Sequence, residues 1–184
     1  ATDVDKGDTL TYSAKTLPSW LSLNAATGLV SGTPSNDDVG THTVSLTVTD
    51  SAKETDSQMF SITVENVNDA PVFSSTPITT ATEDELYSYI VSATDVDADD
   101  SLSYTALGIP SWLTFDDTTL TLSGTPTNDD VGTYNITLVV TDSSKEEARQ
   151  IFTLTVTNVN DVPDVHDDTA SVDEDNSVAI NILE

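Results

Sequence analysis

The hexapeptide Asn66-Val67-Asn68-Asp69-Ala70-Pro71 returns as Asn158-Val159-Asn160-Asp161-Val162-Pro163, 92 positions later, and so divides the chain into repeats. Each copy follows a run of alternating apolar residues, Phe60, Ile62 and Val64 in the first and Phe152, Leu154 and Val156 in the second, which is the period of a half-buried strand. Each ends in a proline, which removes a backbone donor and starts the next segment extended. Strand, polar joint and proline together describe a hinge between two rigid blocks. Asn and Asp at such a joint offer oxygen and no positive charge. That is the ligand chemistry of hard cations such as calcium, which takes ~6 to 8 oxygens at ~2.3 to 2.6 Å.

Outward from the joint, residues 1–71 align with 93–163 without a gap. Thr2-Asp3-Val4-Asp5 matches Thr94-Asp95-Val96-Asp97, and Pro18-Ser19-Trp20-Leu21 matches Pro110-Ser111-Trp112-Leu113. Ser31-Gly32-Thr33-Pro34 matches Ser123-Gly124-Thr125-Pro126, and Asn36-Asp37-Asp38-Val39-Gly40 matches Asn128-Asp129-Asp130-Val131-Gly132. Residues 72–92 have no counterpart at the N-terminus, so the chain opens inside a repeat. The expected organisation is a partial repeat lacking its first strands (1–70), a complete repeat (71–162) and the N-terminal stub of a third (163–184). In that stub Val172-Asp173-Glu174-Asp175 echoes Thr82-Glu83-Asp84-Glu85. A first unit without opening strands and a stub that supplies such strands could exchange them between two chains by β-strand addition.

Period two dominates the complete repeat: Tyr87, Tyr89 and Val91; Leu102, Tyr104 and Ala106; Tyr134, Ile136, Leu138 and Val140. No helical period competes. Short strands punctuated by Asp, Gly, Pro and Asn predict an all-β chain of tandem Greek-key sandwiches, with Trp20 and Trp112 as core anchors. The Asp130-x-Gly132-x-Tyr134 spacing resembles the tyrosine corner of immunoglobulin-like sandwiches. His42 replaces the tyrosine in the first copy, which predicts a weaker corner there.

Composition narrows the partners. Among 184 residues, five Lys and Arg face thirty-two Asp and Glu, a formal charge of -27, which argues against nucleic acid and anionic membrane surfaces. Divalent cations between clustered carboxylates would relieve the self-repulsion locally. With no cysteine, disulfides and thiolate metal sites are excluded. No 18-residue apolar run and no basic-apolar leader occur, so neither membrane insertion nor a signal peptide is expected, and the chain reads as an excerpt. His166, in an acidic stretch, has no ligand spacing.

On an immunoglobulin-like plan, Asp95 and Asp97 after the second strand and Asp142 after the penultimate one gather beside the joint at 66–71. Asp37 and Asp38 of the preceding copy reach the same joint from its opposite end. Like charges that converge in this way call for a cation among them. Asn-x-Asn-Asp-x-Pro, Ala-Thr-Asp-x-Asp and Val-Thr-Asp after the penultimate strand are similar to the cadherin repeat. Pro-Ser-Trp-Leu, Ser-Gly-Thr-Pro and Asn-Asp-Asp-Val-Gly-Thr resemble the dystroglycan-type cadherin-like (CADG) repeats of large bacterial surface and secreted proteins, over nearly all of residues 1–163. Asp167-Asp168-Thr169 through Asp173-Glu174-Asp175 is similar to the start of another bacterial cadherin-like repeat.

The resemblance implies a first calcium site from Asn68, Asp69, Asp95, Asp97 and Asp142 with Asp37 or Asp38. It implies a second from Glu83, Glu85, Asp129, Asp130, Asn160 and Asp161. Ala70 and Val162 stand where cadherin linkers carry a further asparagine, one ligand fewer. Asp3, Asp5 and Asp50 repeat the pattern without a joint above them. The function implied is a calcium-binding structural or adhesive repeat of an extracellular surface protein, whose partners are neighbouring repeats of the same chain and polysaccharide or other surface proteins. The alternative is a calcium-dependent carbohydrate-binding module; sugar platforms need exposed aromatics, whereas the aromatics here mostly occupy inward alternating positions, Tyr87 and Tyr89 being those the alternation fixes least. No nucleophile elbow, histidine cluster or phosphate loop suggests an enzyme.

Overall fold

Alternating segments become strands throughout, and the Asp, Gly, Pro and Asn clusters between them become turns. The computed structural model describes residues 1–5, 7–97, 100–163 and 171–179, so His166 and Asp167-Asp168-Thr169 lie outside the described residues. The first repeat supplies β1 (Thr11–Thr16), β2 (Leu21–Leu23), β3 (Val30–Gly32), β4 (Gly40–Thr49) and β5 (Thr55–Val64). The second supplies β6 (Val72–Phe73), β7 (Thr80–Thr82), β8 (Tyr87–Ile90), β9 (Ala93–Thr94), β10 (Ser103–Leu107), β11 (Leu113–Asp116), β12 (Thr121–Gly124), β13 (Gly132–Thr141) and β14 (Glu147–Thr157). Among the described residues no helix is long and apolar enough to cross a membrane.

Two sheets face each other in the second repeat, ordered β10-β13-β14-β7 and β11-β12-β8, with β6 paired to β9. β7 joins β14 in parallel and β8 joins β12 antiparallel, so the chain crosses from one sheet to the other between them. The register places Ile136 opposite Phe152 and Leu122 opposite Tyr89, and all four are buried. Tyr87 and Tyr89 point inward too, at 4% and 3% exposure, which withdraws them as sugar platforms. Tyr87 packs edge-on to Trp112, and Trp112 edge-on to Tyr134, at 6.3 and 6.1 Å between ring centroids. Burial pushes the Tyr87 phenol up to about 12, so it stays a donor, to the Ile78 carbonyl at 2.8 Å.

The Ser-Gly-Thr-Pro motif has a steric origin. A Cβ on Gly124 would lie 2.1 Å from the Trp112 carbonyl oxygen, and one on Gly32 would lie 1.8 Å from that of Trp20. Only glycine lets strands β12 and β3 pass so close to the preceding tryptophan. The Asn-Asp-Asp motif forms a single 3-10 turn in each repeat, closed by reciprocal bonds between Ser35 and Asp38 and between Thr127 and Asp130. Tyr134 completes the corner by donating to the Asp130 carbonyl at 2.8 Å. The expected weakening in the first repeat does not occur: His42 Nε2 donates to the equivalent Asp38 carbonyl at 2.6 Å.

Among the described residues, the first repeat has β1-β4-β5 and β2-β3 and no strand equivalent to β6 through β9. Leu113, Leu122, Leu138, Phe152, Leu154 and Val156 are buried in the second repeat. Their counterparts Leu21, Val30, Leu46, Phe60, Ile62 and Val64 are only half-buried. In the stub, the turn at 173–176 sets the alignment. Asp175 has φ 67° and Asn176 N–H bonds the Asp173 carbonyl at 3.3 Å. Asp84 has φ 59° and Glu85 bonds Thr82 at 3.3 Å. Asp175 thus corresponds to Asp84 and Glu174 to Glu83, one residue away from the register read off the sequence.

Leu138→Ala should cost about 2–5 kcal/mol, as a core truncation that leaves a cavity does. Leu46→Ala, at the same position of the open repeat, should cost clearly less. Urea unfolding monitored by tryptophan fluorescence checks the difference, and equal losses would contradict it.

Candidate metal centre

The loop after β9 carries Asp95, Asp97 and Asp100. Asp97 N–H bonds Asp95 Oδ1 at 2.9 Å, a local turn that folds the first two carboxylates back over the loop. The joint supplies the next contact: Asp69 N–H donates to Asp97 Oδ2 at 2.7 Å. Ser143, just beyond β13, donates to Asp100 Oδ1. These bonds leave Asp95 Oδ2, Asp97 Oδ1 and Asp100 Oδ2 buried and without a hydrogen-bond partner. Carboxylate oxygens of the three residues lie within 4.8 Å of one another. Asp97 as a whole is 7% exposed.

Such a group is costly as it stands. Two unit charges at this separation repel by roughly 3 kcal/mol at an effective dielectric near 20. Among the described residues the one ion pair is the exposed Arg149–Glu147 contact, so no side-chain cation answers the cluster. A divalent cation does fit. Oxygens bound at ~2.3 to 2.6 Å stand at most ~5 Å apart across the ion, and the donor set is all oxygen, as a hard cation requires.

Asp142, 2% exposed, lies beside this cluster. Its Oδ1 accepts from Glu146 N–H and its Oδ2 from Asn68 Nδ2, both at 2.8 Å. The Asn68 bond, helped by backbone N–H groups of 144–146, holds its carboxyl below the usual carboxylate range despite burial. In the first repeat the corresponding triplet is Asp3, Asp8 and Asp50, which uses the Asp142 position in place of the Asp97 one. The two triplets together outline one bowl of four acidic positions. Asp5 is exposed where Asp97, bonded by the Asp69 N–H, is buried. Asp8 in that bowl is raised, by burial and then by the charges of Asp50, Asp3 and Asp5.

The preceding repeat meets the joint through a residue the sequence reading passed over. Asn36 Nδ2 donates to Asp69 Oδ2 at 2.7 Å, and at the second joint Asn128 donates to Asp161 at 2.7 Å. Asp37 and Asp129 are exposed, and none of the described hydrogen bonds involves their side chains. Asp38 and Asp130 are committed to closing their turns; the Ser35 backbone bond, then its hydroxyl, holds Asp38 low. Asp37 and Asp129 thus stay on the surface, and Asp38 and Asp130 use their Oδ2 in the turn. Glu83, 1% exposed, does reach the second joint: its Oε1 accepts from Val159 N–H and its Oε2 has no partner. Glu85 is exposed. Asn160 donates to the Asp161 carbonyl at 3.1 Å, as Asn68 does to that of Asp69. Asp8 and Asp100 were missed, although Asp-x-Asp-x-x-Asp recurs in both copies and could have pointed to them.

The lowered Asp142 carboxyl links the seam to pH. Its stabilising contribution is present above the ordinary carboxylate range and is lost as pH falls through its depressed value. Asn68→Ala should therefore lower the melting temperature at pH 7 and leave it nearly unchanged near pH 2. Melting curves from pH 2 to 7 test this; a constant offset at all pH would overturn it.

Comparison with known proteins places this geometry in context. The chain is 37% identical over 182 residues to the Serine-rich adhesin for platelets of Staphylococcus aureus strain MSSA476, covering 97% of this chain and 8% of that protein. It is 39% identical over 160 residues to the same-named protein of strain MRSA252, covering 85% and 11%. It thus spans a small part of the curated relatives it matches. Among solved structures, human CDH23 EC21-23 superposes with a TM-score of 0.60 at 23% identity, over 95% of this chain and 67% of that one. Mouse Cadherin-23 EC22-24 gives 0.56 at 21%, over 82% and 53%. These likenesses confirm the fold, a tandem of immunoglobulin- and cadherin-like sandwiches. The sequence model of one family matches residues 1–65 and again 70–157, and the chain belongs to that family, described as Putative Ig domain.

Proposed function

We propose that this chain is a pair of dystroglycan-type cadherin-like repeats from an adhesive protein of the cell surface, stiffened by calcium bound at the seam between repeats. The observation that carries the reading is the trio of buried, donor-less carboxylate oxygens on Asp95, Asp97 and Asp100. Asp142 would complete the bowl, and Asn68 and Asp69 would close it from the joint. Bound calcium would supply the positive charge the cluster lacks and oxygen coordination shared between loop and joint. Asp69 already bridges both sides, through its N–H to Asp97 and its carboxylate to Asn36. An ion among these groups would resist bending of the joint, because bending would separate its ligands.

The adhesin relatives support a surface location, and so does the affinity scale. Calcium sites of extracellular modules bind at about 10⁻⁴ to 10⁻³ M, which fills them outside a cell and empties them inside. The role is mechanical and needs no catalytic group. A sugar-binding role loses its support with Tyr87 and Tyr89 buried.

Calorimetric titration should give a dissociation constant near 10⁻⁴ to 10⁻³ M. Calcium at one hundred times that constant should add about 2.7 kcal/mol of stability, seen as a higher melting temperature that chelator reverses. The double variant Asp97→Asn, Asp100→Asn should lose both heat and shift at this site. Wild-type protein whose melting temperature ignores calcium would overturn the proposal.

A further inference from the structure

Strand β10 is a free edge of the sheet β10-β13-β14-β7 in the second repeat. An unpaired edge presents a row of N–H and C=O groups, and folded proteins guard such rows with charge, proline or a bulge. The equivalent strand β1 of the first repeat is guarded. It carries the exposed Lys15, its register against β4 slips between Ala14 and Thr16, and its Tyr12 N–H donates to the Ala25 carbonyl at 2.9 Å. Strand β10, Ser103-Tyr104-Thr105-Ala106-Leu107, has an unbroken register against β13 and no charged residue. Tyr104 faces Val140 as Tyr12 faces Val48, so the Tyr104 N–H points away from β13 as that of Tyr12 points away from β4. Among the described residues no backbone carbonyl bonds it. Ala106, two residues on, has the same orientation.

A hollow of about 440 Å³ opens beside this edge, lined by Leu102, Ser103, Tyr104, Asp117, Thr118 and Leu120. Asp117 is the one charged residue of that lining. The neighbouring Asp116 is engaged: its Oδ1 accepts from the N–H groups of Thr119 and Thr118 at 3.1 and 2.8 Å, which hold its carboxyl low. Asp117 is exposed and receives only a long contact from the Thr118 hydroxyl, at 3.4 Å. Leu120 has φ 52°, a left-handed backbone that branched residues rarely adopt, where the first repeat has Gly28 at 71°. That strain sets an apolar side chain on the wall of the hollow.

We infer that β10 accepts an extended segment of a partner protein by strand addition, and that an arginine or lysine of that segment seats its side chain in the hollow. The backbone of the guest pairs with the outward groups of Tyr104 and Ala106, and its alternate side chains turn inward over the hollow. The lining selects which side chain enters. Leu102, Leu120 and the half-buried Tyr104 ring offer apolar walls to a methylene stem, and Asp117 offers a carboxylate to the cationic head. The charge of the whole chain, -27, draws a basic segment in and opposes pairing of β10 with a second copy of itself. Backbone pairing supplies affinity, and the single seated cation supplies selectivity.

The probe is a capped, dye-labelled heptapeptide, Thr-Val-Thr-Arg-Thr-Val-Thr, whose arginine and valines share one face when it is extended. Its anisotropy titration against the whole chain should saturate at a single site, weaken as salt rises, and shift the amide resonances of Tyr104 and Ala106. Asp117→Asn should weaken binding about tenfold. Leu120→Gly, which places there the residue the first repeat carries, should weaken it severalfold. Glu65→Gln removes the same charge from an exposed acid of the first repeat and should leave binding unchanged. A control peptide with proline at its third and sixth residues, one on each backbone edge, keeps the arginine but cannot pair, and should not bind. Equal losses in Asp117→Asn and Glu65→Gln, or a proline peptide that binds as well as its parent, would overturn the inference by reducing the contact to diffuse charge attraction. So would a parent peptide with no saturable binding up to about 1 mM. Chain that dimerises through β10 without peptide would overturn it too, because the occupant would then be a second copy.

Discussion

Three carboxylates that approach one another within 4.8 Å, each with a buried oxygen that no donor satisfies, are the constraint around which the seam is arranged. Each side chain is held in place by a bond that uses its other oxygen: Asp95 by the Asp97 N–H, Asp97 by the Asp69 N–H, Asp100 by Ser143. The arrangement is therefore imposed by backbone N–H groups and the Ser143 hydroxyl and not by mutual attraction, which for like charges does not exist. Under the proposed calcium reading, that fixed geometry is what a small multivalent cation would occupy without rearrangement. In the first repeat the corresponding Asp5 is exposed.

The joint acts in both directions because of where it falls in the chain. Asp69 donates forward to the second repeat and accepts backward from Asn36. Asn68 donates forward to Asp142. One short segment thus ties the end of one sandwich to the beginning of the next, and any ion in the bowl would add to a coupling already made of hydrogen bonds. Pro71, fully buried, fixes the direction in which the following strand leaves.

The duplicated sequence also separates pattern from closure. Both copies carry the same alternation, the same glycine beneath the tryptophan carbonyl and the same aspartate-capped turn, yet only the copy with β7 and β8 buries its core. Alternation specifies which face of a strand is apolar; it does not supply the strand that covers that face. Val44, at the position of Ile136, is nevertheless buried, so that this one position is buried in both copies.

Much of this was legible in the residues. The repeat, the polar joint, the strand periods and the convergence of Asp95, Asp97 and Asp142 on the joint all follow from spacing, because strand direction and loop position are set by short-range pattern. The identity of the acids that line the bowl was not legible in the same way. Asp38 and Asp130 looked available until their turns closed on them; Asp100 looked like one loop acid among many; Asn36 carried no charge to attract notice. Glu174 was placed one residue off because Asp and Glu alternate there without an anchor, and a left-handed turn residue decided the register. The sequence by itself determined that acidic loops of successive sandwiches meet at a seam. Only the tertiary structure decided which oxygens there lack a partner, because that depends on where every competing N–H donor points, a matter of angles between segments far apart in the chain.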